Sequence, residues 1–181
     1  MKKSSLTMDN EWYVITGAPC SGKTTVLNGL VARGYNVVPE IARAYIDESL
    51  AKGVSVEELR KDEVSFQKEI LHRKIEEEKK LLPHTIVFFD RGIPDTWAYL
   101  VFHGIKDKAL LQKSLLGKYQ KVFILDPCPF KKDYARIETE ADQKELHRLI
   151  VEGYDKTGIP IVHVPILETK EARVDFILKH L

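Results

Sequence analysis

The segment Gly17-Ala18-Pro19-Cys20-Ser21-Gly22-Lys23-Thr24 restricts the folds open to this chain more than any other stretch of it. It fits G-x-x-x-x-G-K-[ST] at every defined position. Glycines at both ends let the backbone turn so that successive N–H groups face one phosphate, and the helix that follows adds the positive end of its dipole. Lys23 then reaches the β- and γ-phosphates, while Thr24 offers a hydroxyl to Mg²⁺. Thr25 continues the nucleotide-contacting run. Such a loop requires a strand before it and a helix after it. The sequence supplies both: Trp12 to Thr16 is apolar and β-prone, and Val26, Leu27, Leu30 and Val31 mark one face of a helix that Gly34 stops.

The same alternation continues along the chain. Tyr35 to Pro39, Thr85 to Phe89, Lys121 to Leu125 and Ile159 to Val164 read as further strands. The Thr85 run is continuously apolar, as expected of a strand buried on both faces. Between them, Ile41 to Lys52 reads as a helix ended by Gly53. Ser55-Val56-Glu57-Glu58 fits a capping box opening a helix to about Lys80, with Val56, Leu59, Phe66 and Ile70 as its buried stripe and His72 to Lys80 as a solvated face. Glu168 to Leu181 closes the chain as a helix. Five strands interleaved with helices predict a single α/β domain over 1–181, a doubly wound parallel five-stranded sheet in a three-layer sandwich. Residues 1–10 are expected to be unstructured.

Composition removes other classes. Lys plus Arg is 28 against 27 Asp plus Glu, a net charge of +1, so nothing electrostatic calls for nucleic acid or an anionic membrane. No apolar run approaches the ~18–20 residues of a membrane helix. Two cysteines make no disulfide framework, and a cytoplasmic chain is the expectation.

A second constellation follows the central apolar strand. Asp90 ends that strand and either sits beside Thr24 to hold Mg²⁺ or caps the helix near Pro94. Arg91, directly behind it, faces an anionic substrate or makes a surface salt bridge. Glu40 stands at the C-terminal end of the second strand, where ligand crevices of open α/β sheets form. There it serves as a base toward an acceptor hydroxyl or pairs with Arg43 one turn later. Gln67 lies on the face of Phe66 and either offers an amide to a substrate base or is an ordinary polar surface residue. Trp97 and Tyr99 are candidates to stack on a ring, with core packing expected for at least one of them.

Taken together, Val14 to Thr25, Val38-Pro39-Glu40-Ile41-Ala42-Arg43-Ala44-Tyr45, Phe66-Gln67, Phe89-Asp90-Arg91-Gly92 and Tyr154 with Val162-His163-Val164-Pro165 resemble a group of small P-loop proteins. That group includes the nicotinamide riboside kinase domain of a bacterial NAD-biosynthesis regulator and many ATPases known only from sequence. The resemblance spans roughly Trp12 to Leu178. It implies a sheet ordered as in nucleoside and nucleotide kinases, with the Asp90 strand beside the P-loop strand, and ATP or GTP as phosphate donor. It also implies that Glu40 occupies the place of a catalytic carboxylate in deoxynucleoside kinases.

Pro127 to Asp142 is polar and basic and corresponds in kinases to a lid, in which Arg136 is the arginine expected to close on the transferring phosphate. Several lid arginines are usual in nucleotide kinases; here Arg136 stands alone, with Arg148 well beyond. Cys20, at a variable loop position, reads as a small packing residue, with a redox pair to Cys128 as the alternative. The leading functional expectation is an ATP-dependent kinase of a small, nucleoside-like hydroxylated metabolite. The alternatives are a nucleotide-binding switch or slow NTPase acting through a protein partner, and a binding module without turnover.

Overall fold

The computed structural model describes residues 10–82, 84–129 and 139–181. Among them, β1 (Trp12–Thr16), β2 (Asn36–Val38), β3 (Val87–Asp90), β4 (Lys121–Leu125) and β5 (Ile161–Val164) form one all-parallel sheet in the order β2-β3-β1-β4-β5. The helices are α1 (Lys23–Ala32), α2 (Ile41–Ala51), α3 (Val56–Leu59), α4 (Glu63–Lys79), α5 (Ile93–Phe102), α6 (Lys108–Lys113), α7 (Glu140–Asp155) and α8 (Lys170–Lys179). The fold is the doubly wound α/β sandwich the alternation predicts, and β3 lies beside β1 as the resemblance implies.

The chain leaves β1 toward β2 on one side and later crosses to β4 on the other. The switch in winding direction therefore falls at the carboxyl end of β1, where an open α/β sheet binds its ligands. Register sets the chemistry there. Ile15 pairs with Asp90 and Thr16 with Ile124, so Asp90 lies level with the start of the phosphate loop. Alternation within each strand divides the core. Trp12, Val14, Phe89, Val122 and Ile124 pack under α5 and α7 with Trp97, Leu149 and Tyr154. Ile15, Phe88, Phe123 and Leu125 face α1 and α8 with Val26, Leu30, Val174 and Ile177.

One expected helix is two. The Ser55 cap is real, accepting from the Glu58 N–H at 3.1 Å, but the helix it opens ends at Leu59. Asp62 then caps α4 through the Ser65 N–H at 3.1 Å. The second cap satisfies donors that a continuous helix would have bonded internally, so the chain turns there. The predicted solvated face of His72 to Lys80 is also corrected at one position. Lys74 is buried, because it stands one turn beyond Ile70 on the same stripe as Phe66.

The turn after β3 is built to close tolerance. A Cβ on Gly92 would lie 2.7 Å from Tyr154 Oη, 2.8 Å from the Tyr119 ring and 2.9 Å from Val14 Cγ2. All three belong to the packed layer under α5 and α7, and none can swing away freely. Gly92→Ala is therefore expected to cost about 1–3 kcal/mol from overpacking, read as a lower urea midpoint at unchanged slope.

Candidate functional site

Every carbonyl of the loop from Gly17 to Gly22 has a donor, most of them from distant parts of the chain. Its carbonyls are accounted for one by one: Gly17 O accepts from Lys23 Nζ at 3.0 Å and Arg91 NH1 at 3.1 Å, and Ala18 O from Lys23 Nζ at 3.0 Å. Pro19 O accepts from Gln143 Nε2 at 2.7 Å, Cys20 O from the Cys128 N–H at 2.9 Å, and Ser21 O from Arg173 NH1 at 2.7 Å. Gly22 O takes the Val26 N–H of α1 at 3.2 Å. With the acceptors occupied from behind, the loop's N–H donors are what remains to face the cleft. Gly17 is required for this shape. Its φ is 143°, and a Cβ there would lie 2.6 Å from Leu125 O. Helix α1 has no side-chain cap and no acid in its first turn, whereas α3, α4, α6, α7 and α8 are each capped by a Ser, Thr or Asp side chain. Its positive end is left for an anion.

Arg91 is the hub behind the loop. It is buried with φ 70°, and its backbone N–H reaches Ile15 O at 3.1 Å. The guanidinium spans three elements: Nε donates to Glu40 Oε1 at 3.0 Å, and NH1 donates to Gly17 O and to Asp95 Oδ1 at 3.3 Å. Asp95, fully buried on α5, also accepts from Thr16 Oγ1, from the Gly92 N–H at 2.9 Å and from Tyr154 Oη at 2.7 Å. Asp90 contrasts with it. Its Oδ1 is buried with no hydrogen-bond partner, in the same cavity wall as Thr24. A carboxylate oxygen held in that way beside a threonine hydroxyl and a phosphate cradle is a fitting donor set for Mg²⁺.

A cavity of about 1010 Å³ opens over these groups. Pro19 to Thr25 form one wall, with Thr24 and Thr25 exposed to it. Glu40, Arg43, Asp90 and Arg91 form its floor and side. Farther along lie Ile46, Phe66, Gln67, Ile70, Lys74 and Tyr99. Gln67 is buried and donates Nε2 to Glu63 Oε1 at 2.8 Å. Glu40 lines this cavity, half-buried, and its ion pair is with Arg91 at 3.0 Å. Trp97 is a correction. It sits in the core under α7, packed where a Gly153 Cβ would lie 3.0 Å from its ring, and it does not line the cavity. Tyr99, two residues on, faces the cavity instead. Arg136 and most of the expected lid lie outside the described residues; Thr139 caps the helix that follows.

Four side chains important to this site had no signal at the level of motif. Lys74 donates to Gly92 O at 2.6 Å and Thr96 Oγ1 at 3.3 Å, and the i, i+4, i+8 spacing from Phe66 was its only clue. Gln143 and Arg173 reach the loop, and Asp95 reaches Thr16 at the end of β1, across distances in sequence that no local pattern records.

Residues 12–173 match the AAA_28 family, an AAA domain. The chain belongs to this family. No curated protein matches it in sequence. The fold is shared with solved structures at low identity. Deoxyadenosine kinase from M. mycoides, solved with the products dCMP and dCDP, superposes with a TM-score of 0.66 at 14% identity, covering 93% of this chain and 97% of that one. The same enzyme with dATP gives 0.66 at 16% identity and the same coverage. A NadR protein in complex with NR gives 0.71 at 15% identity, over 94% of this chain but 50% of the NadR chain.

In this AAA-domain protein the cleft charges oppose one another. Burial, then the nearby Arg91, brings the Lys23 ammonium down to about 8. Burial lowers Lys74 to about 8 as well. Burial also pushes Glu40 up, but Arg91 and Lys23 outweigh it and hold this carboxyl below its ordinary range. Asp90 moves the other way, to about 7, through burial and the repulsion of Glu40. In the unfolded chain Asp90 ionises near 3.8, so the folded protein loses stability as pH rises from there through about 7. Asp90→Asn removes that loss. The melting temperature of the variant relative to the native chain is expected to climb between about pH 5 and 7 and to level off above, each kcal/mol being worth about 2–4 °C at this size. A gap independent of pH would show Asp90 ionised throughout.

Proposed function

We infer that the protein is an ATP-dependent kinase of a small, nucleoside-like hydroxylated metabolite. The observation that carries this reading is the convergence of the phosphate loop, Asp90 and the Glu40–Arg91 pair on one cavity large enough for a nucleotide and a second molecule. A protein that only hydrolyses nucleotide has no need of a cavity of this size whose lining extends to Phe66, Gln67 and Tyr99. The likeness in fold to a deoxyadenosine kinase and to a NadR protein in complex with NR points the same way.

In the proposed reaction the loop amides and Lys23 hold the β- and γ-phosphates. Binding would take Lys23 off Gly17 O and Ala18 O and give its charge a stronger partner than two carbonyls. Thr24 and Asp90 would hold Mg²⁺, which when bound neutralises charge on the phosphates. Glu40, kept ionised by Arg91, is a weak base for removing a proton outright. Its suitable task is to accept a hydrogen bond from the acceptor hydroxyl and aim it at the γ-phosphorus, which a loose phosphoryl-transfer transition state demands more than early deprotonation. Arg136 is proposed to close over the transferring group. Arg43, Gln67 and Arg91 are proposed contacts of the acceptor.

Two measurements test this. Mg·ATP at 100 times its Kd is expected to raise the melting temperature by about 5–10 °C, and Lys23→Ala to abolish most of that rise. An undiminished rise in the variant overturns the loop assignment. Product analysis with Mg·ATP and a panel of nucleosides is expected to find phosphate on an acceptor. Glu40→Gln should lower that transfer about 10²-fold or more with little change in ATP affinity. Phosphate released only to water, unaffected by Glu40→Gln, supports the NTPase instead.

A further inference from the structure

Cys20 and Cys128 meet at the edge of the phosphate loop although 108 positions separate them in the chain. Cys128 donates its backbone N–H to Cys20 O at 2.9 Å, which by bond geometry alone keeps the two Cα atoms within about 6.8 Å. That bound is the outer limit of the Cα separation a disulfide spans without backbone movement. Neither is in a disulfide, both are partly exposed, and both line the main cavity, so a small reagent can reach them from the cleft. Cys128 presents its sulfur to the loop: Sγ lies 3.9 Å from Arg173 NH1 and 4.0 Å from where a Cβ on Gly22 would stand. Cys20 has φ 62°, a left-handed conformation that few side-chain-bearing residues adopt and that here the surrounding hydrogen bonds impose.

We propose that Cys20 and Cys128 are a redox modification site, closing into a reversible disulfide that pins the phosphate loop to the exit of β4 and weakens nucleotide binding. The oxidant is a low-molecular-weight disulfide. The thiolate of one cysteine attacks it, forming a mixed disulfide and expelling one small thiolate. The second cysteine, deprotonated, attacks the protein sulfur of that mixed disulfide and expels the other small thiolate. The protein loses two hydrogens and two electrons, and the small disulfide is reduced to two thiols. The bridge acts on the loop because Cys20 lies between Ala18 and Lys23. Nucleotide entry must release Lys23 from Gly17 O and Ala18 O, and a loop fastened at Cys20 holds the arrangement in which those bonds are made.

The second half of the proposal rests on the nucleotide-binding reading of the loop, and the test separates the two. The full chain is incubated with oxidised glutathione, quenched and peptide-mapped. The expected result is a cross-link between the segments carrying Cys20 and Cys128, reversed by dithiothreitol. Mixed glutathione adducts without the cross-link overturn the proposal. ATP affinity is then measured on the oxidised and re-reduced protein, with an expected loss of about tenfold or more on oxidation and full recovery on reduction. A cross-linked protein with undiminished affinity overturns the gating role. In Cys128→Ser, where only a mixed disulfide at Cys20 can form, a loss of affinity as large as that of the cross-linked native protein overturns the role of the bridge. If the reduced native protein fails to bind ATP, the nucleotide reading fails, and the bridge stands or falls on the peptide map alone.

Discussion

Everything at the carboxyl end of the sheet is organised around one buried guanidinium. Arg91 contacts the carboxylate of Glu40 on the α2 side, the first carbonyl of the phosphate loop, and Asp95 on α5. These three elements come from different parts of the chain and share no backbone hydrogen-bond ladder with one another. A cation so placed is costly unless its partners are complete; losing one acid from such a buried pair typically costs about 3–5 kcal/mol. The partners are complete because Asp95 is itself saturated by Thr16, Gly92 and Tyr154. The consequence is mechanical. The proposed acceptor carboxylate and the phosphate loop are two ends of one rigid connection, so their separation is fixed before any ligand arrives.

That rigidity has an electrostatic counterpart. Two buried ammonium groups and one buried carboxyl are all displaced toward neutrality, while the Glu40–Arg91 pair is held charged. Such an arrangement is poorly satisfied without ligand. Lys23 spends its donors on carbonyls and a serine hydroxyl, and Asp90 leaves one oxygen without a partner. A phosphate chain with its cation would supply what each lacks, an anion for the first and a positive charge for the second. The instability lies where binding would relieve it, as is common in sites that trade stability for function.

How much of this the sequence disclosed follows from the range of each signal. The phosphate loop was legible because its determinants are contiguous, and the strands because burial on both faces leaves unbroken apolar runs such as Val87 to Phe89. The placement of Asp90 followed from its being the last residue of such a run. Lys74 was hidden because a charged residue in a charged stretch reads as surface; only its phase relative to Phe66 and Ile70 tells otherwise. Which of Trp97 and Tyr99 packs in the core stayed open because a two-residue step turns a helix by about half a circle, and nothing local says which half faces the cavity. The break between α3 and α4 rested on a second cap, Asp62, that competes with the first only once both flanking turns are formed.

The loop itself shows why the remaining determinants lay beyond local pattern. A segment whose amides must face a phosphate has carbonyls pointing the opposite way, and each must find a donor in the protein or lose about 1–3 kcal/mol. Here those donors are Lys23 from within, Arg91 after β3, the Cys128 amide after β4, Gln143 on α7 and Arg173 on α8. Gln143 spans Pro19 O and Cys128 O, and Arg173 spans Ser21 O, Asp126 O and Pro165 O. The two therefore fasten the loop to the ends of β4 and β5 as well. A motif of eight residues is thus the visible part of a structure assembled from nearly the whole chain. The phosphate-facing surface can be local in sequence only because its reverse side is not.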